Sequence, residues 1–256
     1  MLTVSDTAYS IAFIRSEEAD RPPEHRLFDD PYAKLFAAEG AHAAEGTQRY
    51  LALPFFRDGI RLRTRFIDDF LRKGLDDGVD QVVLLGAGFD ARGLRMPEIA
   101  SHRATVYEVD VPALLERKRA ILASAGVSLP GYVLHVPCDF SAPDFDKALA
   151  EDLARHGFRL AGGCLFVWEG VIGYIDHPTI DRSLAFMARA GGSRSRLAFT
   201  FGSMTFDPES AEVRVRRAGF SSCEEHGFDE VWKQYLPGVP HPNAFVARIA
   251  VASFRE

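Results

Sequence analysis

The stretch Gln81-Val82-Val83-Leu84-Leu85-Gly86-Ala87-Gly88-Phe89-Asp90-Ala91-Arg92 constrains this chain more than any other part of it. An apolar run rich in β-branched residues stops at a Gly-x-Gly turn, and a polar, helix-compatible segment follows. A buried parallel strand reads this way, with its carboxyl end opening into a cofactor crevice. Gly86 allows a tight turn, and Gly88 lets a ligand approach the backbone because no Cβ stands in the way. Gly86-x-Gly88-x-x-Ala91 also satisfies the loose dinucleotide fingerprint, so the turn alone does not choose the cofactor.

Strand and helix signals alternate after the turn. Residues 104–110 read as a second strand ending in acid, and Pro112 opens a helix to about Ser124. Residues 132–137 are a third strand, 143–156 a helix, and 163–168 a fully apolar fourth strand closed by Glu169 and Gly170. Asp176, His177 and Pro178 cap a helix through Ala190. Residues 196–201 are a fifth strand, 209–218 a helix, 221–224 a weak strand and 245–251 a terminal strand. Strands separated by helices predict an α/β fold with a doubly wound, mostly parallel, Rossmann-like sheet. The late strands suit an antiparallel C-terminal edge.

Residues 1–78 precede any strand and read as a helical cap. A short helix lies within 7–17, and Asp30 as N-cap with Pro31 at the first position opens another. A third covers 59–71, with Phe66, Ile67, Phe70 and Leu71 as its buried stripe, and Gly74 and Gly78 release it into the first strand. The expected organisation is one domain over 1–256, with an α/β core over 79–256 and an acceptor-side segment near 201–240.

A chain of 256 residues can bury a full core. Its net charge of −6 does not favour a nucleic-acid groove. Cys138, Cys164 and Cys223 show no CxxC spacing, so neither a disulfide framework nor a zinc site is expected, and reduced thiols in a cytoplasm are the simplest reading. No apolar run approaches the roughly 18 residues of a membrane span. No Gly-x-Ser-x-Gly hydrolase motif or His-Glu-x-x-His metal helix occurs. The expected partner is a small molecule rather than nucleic acid or membrane.

Four strand ends carry chemistry: Gly86 with Gly88, Glu108 with Asp110, Asp139, and Glu169. In an open parallel sheet these ends converge on one crevice. An acid after the second strand suits a ribose diol, since a carboxylate accepts from two hydroxyls. NAD and S-adenosylmethionine sites both use it. One of Glu108 and Asp110 is expected to be structural, and Asp110, before Pro112, fits a helix cap. Asp139 and Phe140 suit adenine, or equally a turn aspartate with a core phenylalanine. Glu169 closes an apolar strand, where a carboxylate is costly unless paired, and a ligand ammonium would supply the pair.

The pieces together resemble bacterial class I S-adenosylmethionine-dependent methyltransferases of the leucine carboxyl methyltransferase type. The resemblance rests on Thr7-Ala8 with Ile11-Ala12 and Arg15, Arg26-Leu27-Phe28-Asp29-Asp30-Pro31-Tyr32-Ala33, and Arg63-Thr64-Arg65-Phe66-Ile67-Asp68. It continues through the glycine turn, Tyr107-Glu108-Val109-Asp110-Val111-Pro112, Glu116-Arg117-Lys118, Val136-Pro137-Cys138-Asp139-Phe140 and Trp168-Glu169-Gly170-Val171-Ile172-Gly173-Tyr174-Ile175. It implies a cofactor loop of Gly86, Ala87, Gly88 and Asp90. It also implies Arg63 on the methionine carboxylate, Glu169 on its ammonium, Asp110 on the ribose, and Asp139 with Phe140 around adenine. A planar guanidinium suits the first role because it binds a carboxylate bidentately. Tyr174 and Arg92 belong to the same pattern as positioning candidates near the reacting groups. Ala91 departs from the pattern, where threonine is usual, and the match fades after residue 200. There Phe201, Met204, Phe206, Phe220, Phe228, Trp232 and Tyr235 are pocket or core aromatics and methionine.

The implied reaction is methyl transfer to an oxygen of a small metabolite, of the secondary-metabolic kind. An ionised carboxylate acceptor needs no general base, whereas a phenol does. His135, His177, His226 and His241 are scattered and form no evident catalytic pair, which tilts the reading toward a carboxylate. The rivals are an NAD-dependent oxidoreductase and a non-catalytic protein that keeps the cofactor fold. A long helical preamble and Arg63 fit the methyltransferase better, and Arg63 with Glu169 complement a zwitterionic amino acid, which NAD lacks.

Overall fold

A computed structural model of the chain describes residues 4–40 and 54–254. The core is a seven-stranded sheet in the order β3-β2-β1-β4-β5-β7-β6. The strands are β1 (Gln81–Leu85), β2 (Thr105–Asp110), β3 (Val133–Pro137), β4 (Leu165–Trp168), β5 (Arg196–Gly202), β6 (Ser222–Gly227) and β7 (Ala247–Ser253). The first five are parallel, while β7 runs antiparallel to both β5 and β6. The order reverses between β1 and β4, and that switch point is where an open α/β sheet forms its binding crevice. The expected C-terminal antiparallel edge is present, with β7 inserted beside β5 and β6 outermost.

The helices are α1 (Val4–Ser16), α2 (Ala33–Glu39), α3 (Pro54–Asp76), α4 (Arg92–Arg95), α5 (Pro97–Ser101), α6 (Pro112–Ser124), α7 (Phe145–Arg155), α8 (His177–Gly191), α9 (Ala211–Ala218) and α10 (Phe228–Tyr235). Every residue of β1 is buried, as a strand covered on both faces must be. Val82, Leu84 and Val106 pack on Leu62, Ile67, Leu71 and Leu75 of α3. Val83, Leu85, Tyr107 and Val109 lie on the opposite face with Leu149 and Leu153 of α7 and Leu184 and Met187 of α8.

Several boundaries differ from expectation for identifiable reasons. α3 begins at Pro54, ahead of Gly59, and runs through Gly74 to Asp76. Gly74 does not release the helix: a Cβ there would stand 2.4 Å from Leu165, so this glycine lets α3 lie close on β4. Phe66 and Phe70 are only partly buried, while Leu62 and Leu75 belong to the buried stripe. α2 starts at Ala33 with Tyr32 as its N-cap, not at Pro31 after Asp30; Asp30 still accepts a hydrogen bond from the amide of Ala33 (3.0 Å), and its second oxygen turns inward to Arg15 at 3.1 Å. α10 was hidden among aromatics read as pocket or core. Phe228 and Val231 bury its inner face in the same cluster as α3. The terminal strand starts at Ala247 because Ala244–Val246 forms a 3-10 turn.

Candidate active site

The turn after β1 is pinned from β2. The Val109 carbonyl accepts from Gly86 and Ala87 amides at 2.8 and 3.0 Å, and Asp110 accepts from the Gly88 amide at 2.7 Å. Gly86 and Gly88 have φ of +67° and +49°, in the region that disfavours other residues. A Cβ on Gly86 would stand 2.2 Å from Val171, whereas the nearest atom to one on Gly88 is 3.7 Å away, on Ala8. Gly86 is therefore packed against the loop after β4, and Gly88 presents bare backbone.

The two acids of β2 divide their roles in the opposite sense to the helix-cap reading. Asp110 holds the glycine turn, accepting from Gly88 and from Val111 (2.7 Å). Burial pushes its carboxyl up, against the pull of those two amides. Glu108 is wholly buried, with its Oε2 2.6 Å from the ammonium of Lys118 and 3.1 Å from the His135 ring. Its expected place beside the cofactor is corrected on that ground: it has no face open to the crevice. Lys118 also donates to the Asp90 carbonyl, so the Glu108–Lys118 pair braces the turn from below. Lys118 escaped notice as a site residue, yet it occupies the buried stripe of α6 with Leu114, Leu115, Ile121 and Leu122. A charged residue at helical spacing within such a stripe was the available signal.

Beneath the turn the charges interlock. Glu169 binds Arg63 through one oxygen (2.6 Å) and Arg92 through the other (2.8 Å). Arg92 also pairs with Asp90 and, at 2.8 Å, with Asp68, which Arg95 binds in turn at 2.7 Å. Arg15 of α1 spans Asp30 and the carbonyl of Phe89. Burial alone would push Asp90 up, but Arg92, Arg15 and Lys118 outweigh it and hold the carboxyl at about 2. In Glu169 and Asp68 burial is likewise overcome by guanidinium groups, Arg92 and Arg63 for the first, Arg95 and Arg92 for the second, and both carboxyls lie below their ordinary range.

Glu169 already has two guanidinium partners, so burial of its charge does not by itself require a ligand ammonium. Arg92 is only 2% exposed and braces Glu169 and Asp90 without reaching the open crevice. Arg63 is not a surface arginine; its guanidinium meets Glu169 beside Gly170, where a Cβ would stand 3.3 Å away. Asp68 stands in the Arg63–Asp68 motif without a role legible in the sequence, because its partners Arg92 and Arg95 lie beyond β1.

Asp139 and Phe140 follow β3 directly beside Asp110, whose carbonyl accepts from Cys138 at 2.8 Å. Asp139 makes a turn with Ser141, accepting from its amide and hydroxyl at 2.9 and 2.6 Å, and these bonds lower its carboxyl. Phe140 is buried edge-on against Phe145, with centroids 5.5 Å apart.

A cavity of about 460 Å³ opens on the Arg63–Gly170 side of the turn. Thr7 and Ser10 of α1, Phe55 and Gly59 of α3, Thr200 and Phe201 of β5, and Phe228 of α10 line it together with Tyr174. Thr200 accepts from the Gly170 amide at 2.8 Å, and the Tyr174 hydroxyl donates to Thr7 at 3.1 Å. Tyr174 is 53% exposed. Phe206 and Phe220, by contrast, are buried in the core, and Met204 is exposed.

A bare glycine turn at the sheet's switch point, a strand-end acid bound to it and a cavity alongside define a nucleotide-cofactor α/β enzyme. Arg63 and Glu169 are complementary to the carboxylate and ammonium of a free amino acid, and the bare backbone at Gly88 leaves room for a ribose; the residues present fit S-adenosylmethionine. The chain belongs to the leucine carboxyl methyltransferase family, whose model matches residues 8–188. It is 32% identical over 237 residues to a protein of Frankia alni named as an S-adenosyl-L-methionine-dependent methyltransferase, covering 90% of this chain and 80% of that one. A Streptomyces coelicolor protein of the same name is 34% identical over 206 residues, 77% of this chain and 69% of its own. In fold, the chain is similar to a duf574 family protein from Streptomyces avermitilis (TM-score 0.56, 14% identity, 95% of this chain and 97% of the other). It is also similar to a protein of Thermobifida fusca described as a methyltransferase (TM-score 0.53, 14% identity, 96% and 94%). The protein is an S-adenosyl-L-methionine-dependent methyltransferase. This family membership favours methyl transfer over nicotinamide-dependent hydride chemistry.

Proposed function

We propose that this methyltransferase acts on an oxygen of a small metabolite, and that the oxygen belongs to a carboxylate. The observation that carries the reading is the lining of the cavity beside Arg63. Among the described residues it is walled by aromatic, aliphatic and small side chains, with the hydroxyls of Thr7, Ser10, Tyr174 and Thr200, the guanidinium groups of Arg63 and Arg248, and no carboxylate or imidazole. An acceptor that enters already ionised needs no base, and a carboxylate, titrating near 4, meets that condition at neutral pH. A phenol, titrating near 10, does not.

Each residue then has a task. Arg63 binds the methionine carboxylate and Glu169 its ammonium, each turning part of its charge from the other toward the ligand. Arg92 and Asp90 keep Glu169 and the turn in place. Gly86, Ala87 and Gly88 form the floor, Asp110 receives the ribose hydroxyls, and Asp139 with Phe140 borders the adenine. When bound, S-adenosylmethionine supplies a methyl group on a sulfonium sulfur, which keeps the electron pair of the broken C–S bond. The phenylalanines of the cavity exclude water from the acceptor oxygen, and Tyr174 positions it from the rim. Segments 1–78 and 201–240 supply the acceptor side in this reading. Three free cysteines, two of them buried, accord with a reducing cytoplasm, and no described helix is long and apolar enough to cross a membrane.

Calorimetry with S-adenosylhomocysteine and a methyl-transfer screen over matched carboxylic acids and phenols test the proposal. Arg63→Ala and Glu169→Ala are expected to weaken S-adenosylhomocysteine binding by about tenfold or more. Unchanged affinity in both variants overturns the residue assignments. Methyl ethers formed in place of methyl esters overturn the carboxylate reading.

A further inference from the structure

The cavity holds a second arginine, Arg248 of β7, beyond the residues matched by the family model. Its surroundings differ from those of the other guanidinium groups near the site. Arg63 is neutralised by Glu169, and Arg15, Arg61, Arg92 and Arg95 each face at least one carboxylate. Arg248 is half-buried and, among the described residues, its side chain makes no ion pair and no hydrogen bond. Across the sheet Arg248 stands opposite Phe201 of β5 on one side and Gly227 of β6 on the other. Phe201 offers no acceptor, and the space a Gly227 side chain would fill is taken by the Asp229 carboxylate, 2.3 Å from that Cβ position, without an ion pair to Arg248 among the described residues. Among the described lining residues no acidic side chain is present to balance it.

A half-buried cation on an apolar wall is stabilised by an anion that enters with the ligand, and a planar guanidinium takes a carboxylate bidentately. We propose that Arg248 is the anchor for a carboxylate of the acceptor, so that the enzyme selects organic anions with an aromatic or bulky apolar body. The aromatic rings of Phe55, Phe201 and Phe228 receive that body. The inference rests on the methyltransferase reading of this cavity but not on which oxygen is methylated.

The test uses the full chain saturated with S-adenosylhomocysteine. The probes are 4-hydroxybenzoate, 3-(4-hydroxyphenyl)propanoate and 6-hydroxy-2-naphthoate, each beside its primary amide. Binding is measured by calorimetry for the wild type, Arg248→Met and Arg248→Lys. At least one carboxylate is expected to bind the wild type about tenfold or more tightly than its amide. Arg248→Met is expected to abolish that preference with S-adenosylhomocysteine affinity unchanged, and Arg248→Lys to keep part of it. If no carboxylate outbinds its amide, or if Arg248→Met retains the preference, the proposal is overturned. Turnover with S-adenosylmethionine then separates the two readings. A methyl ether formed with dependence on Arg248 leaves the anchor standing and removes the carboxylate as methyl acceptor. A methyl ester formed with no such dependence does the reverse.

Discussion

At the scale of single residues, the site is held by charges that balance one another out of water. Asp30, Asp68, Asp90 and Glu169 stand among Arg15, Arg63, Arg92 and Arg95. Buried ions are costly individually, and removing one partner exposes that cost in full. For Asp90, a carboxyl held at about 2 against an ordinary 3.8 corresponds to about 2 kcal/mol of stability at neutral pH. The folded value lies below the unfolded one, so this contribution is complete above pH 4 and disappears as the pH falls toward 2. Asp68 and Glu169 are shifted in the same direction and steepen the loss. Urea unfolding should show little change from pH 7 to 5 and a sharp decline below 4, and Asp90→Asn should flatten that decline while lowering stability at pH 7. The acids of β2 offer a cleaner separation. Glu108→Gln leaves Lys118 buried without its counter-ion and should cost about 3 kcal/mol of unfolding free energy, with only a small loss of S-adenosylhomocysteine affinity through the braced turn. Asp110→Asn should do the opposite, weakening the ligand far more than the fold. Equal effects from the two variants would contradict this division. The location of these acids was legible in the sequence, because each closes or nearly closes an apolar strand. Their partners were not. Nothing in linear order joins Glu169 to Arg63 and Arg92, or Glu108 to Lys118 and His135, until the sheet brings them together.

At the scale of elements, alternating strand and helix signals were enough to place every strand, and the Asp176 cap of α8 was readable because its side chain does bond the Thr179 amide at 2.9 Å. Glycines were harder to read, since one residue type serves turns and close contacts alike. Gly74 looked like a helix stop and is a contact with Leu165; Gly86 looked like a turn and is both. Its φ of +67° disfavours a side chain, and the loop after β4 leaves no space for one. Gly86→Ala is therefore expected to destabilise the protein by about 2–3 kcal/mol, part from the left-handed backbone and part from overpacking against Val171. Adding Val171→Ala removes the crowding but not the backbone strain, so the double variant should recover roughly half of the loss by thermal denaturation. Full recovery would mean that the backbone term is negligible, and no recovery that Val171 is irrelevant. The segment after residue 200 was the least legible element. Its aromatics serve both a core and a cavity, and α10 has only eight residues to display a period.

At the scale of the whole molecule, the cofactor turn is covered by the N-terminal helices, not by the sheet alone. α1 sends Arg15 to the Phe89 carbonyl and rests Tyr9 on the Phe89 ring, centroids 4.7 Å apart, while Phe36 of α2 stacks on the same ring at 4.8 Å. Across the cavity, the exposed Tyr174–Thr7 hydrogen bond ties α1 to the loop after β4. The N-terminal turns of α1, tied to that loop by a solvent-accessible hydroxyl while Ala12, Ile14 and Arg15 hold the rest of the helix among buried groups, open at lower free energy than the parallel strands behind them. A ligand lying between them binds only the closed arrangement and must shift that equilibrium by mass action. Hydrogen exchange should therefore be slowed by S-adenosylhomocysteine most strongly in α1 and in the first turns of α3, and least in β1 and β4, whose residues are all buried. Tyr174→Phe should speed exchange in α1 without ligand and leave the strands as they were. If the ligand instead protects the strands and leaves α1 unchanged, the N-terminal helices are a fixed wall and the acceptor must reach the site without their movement.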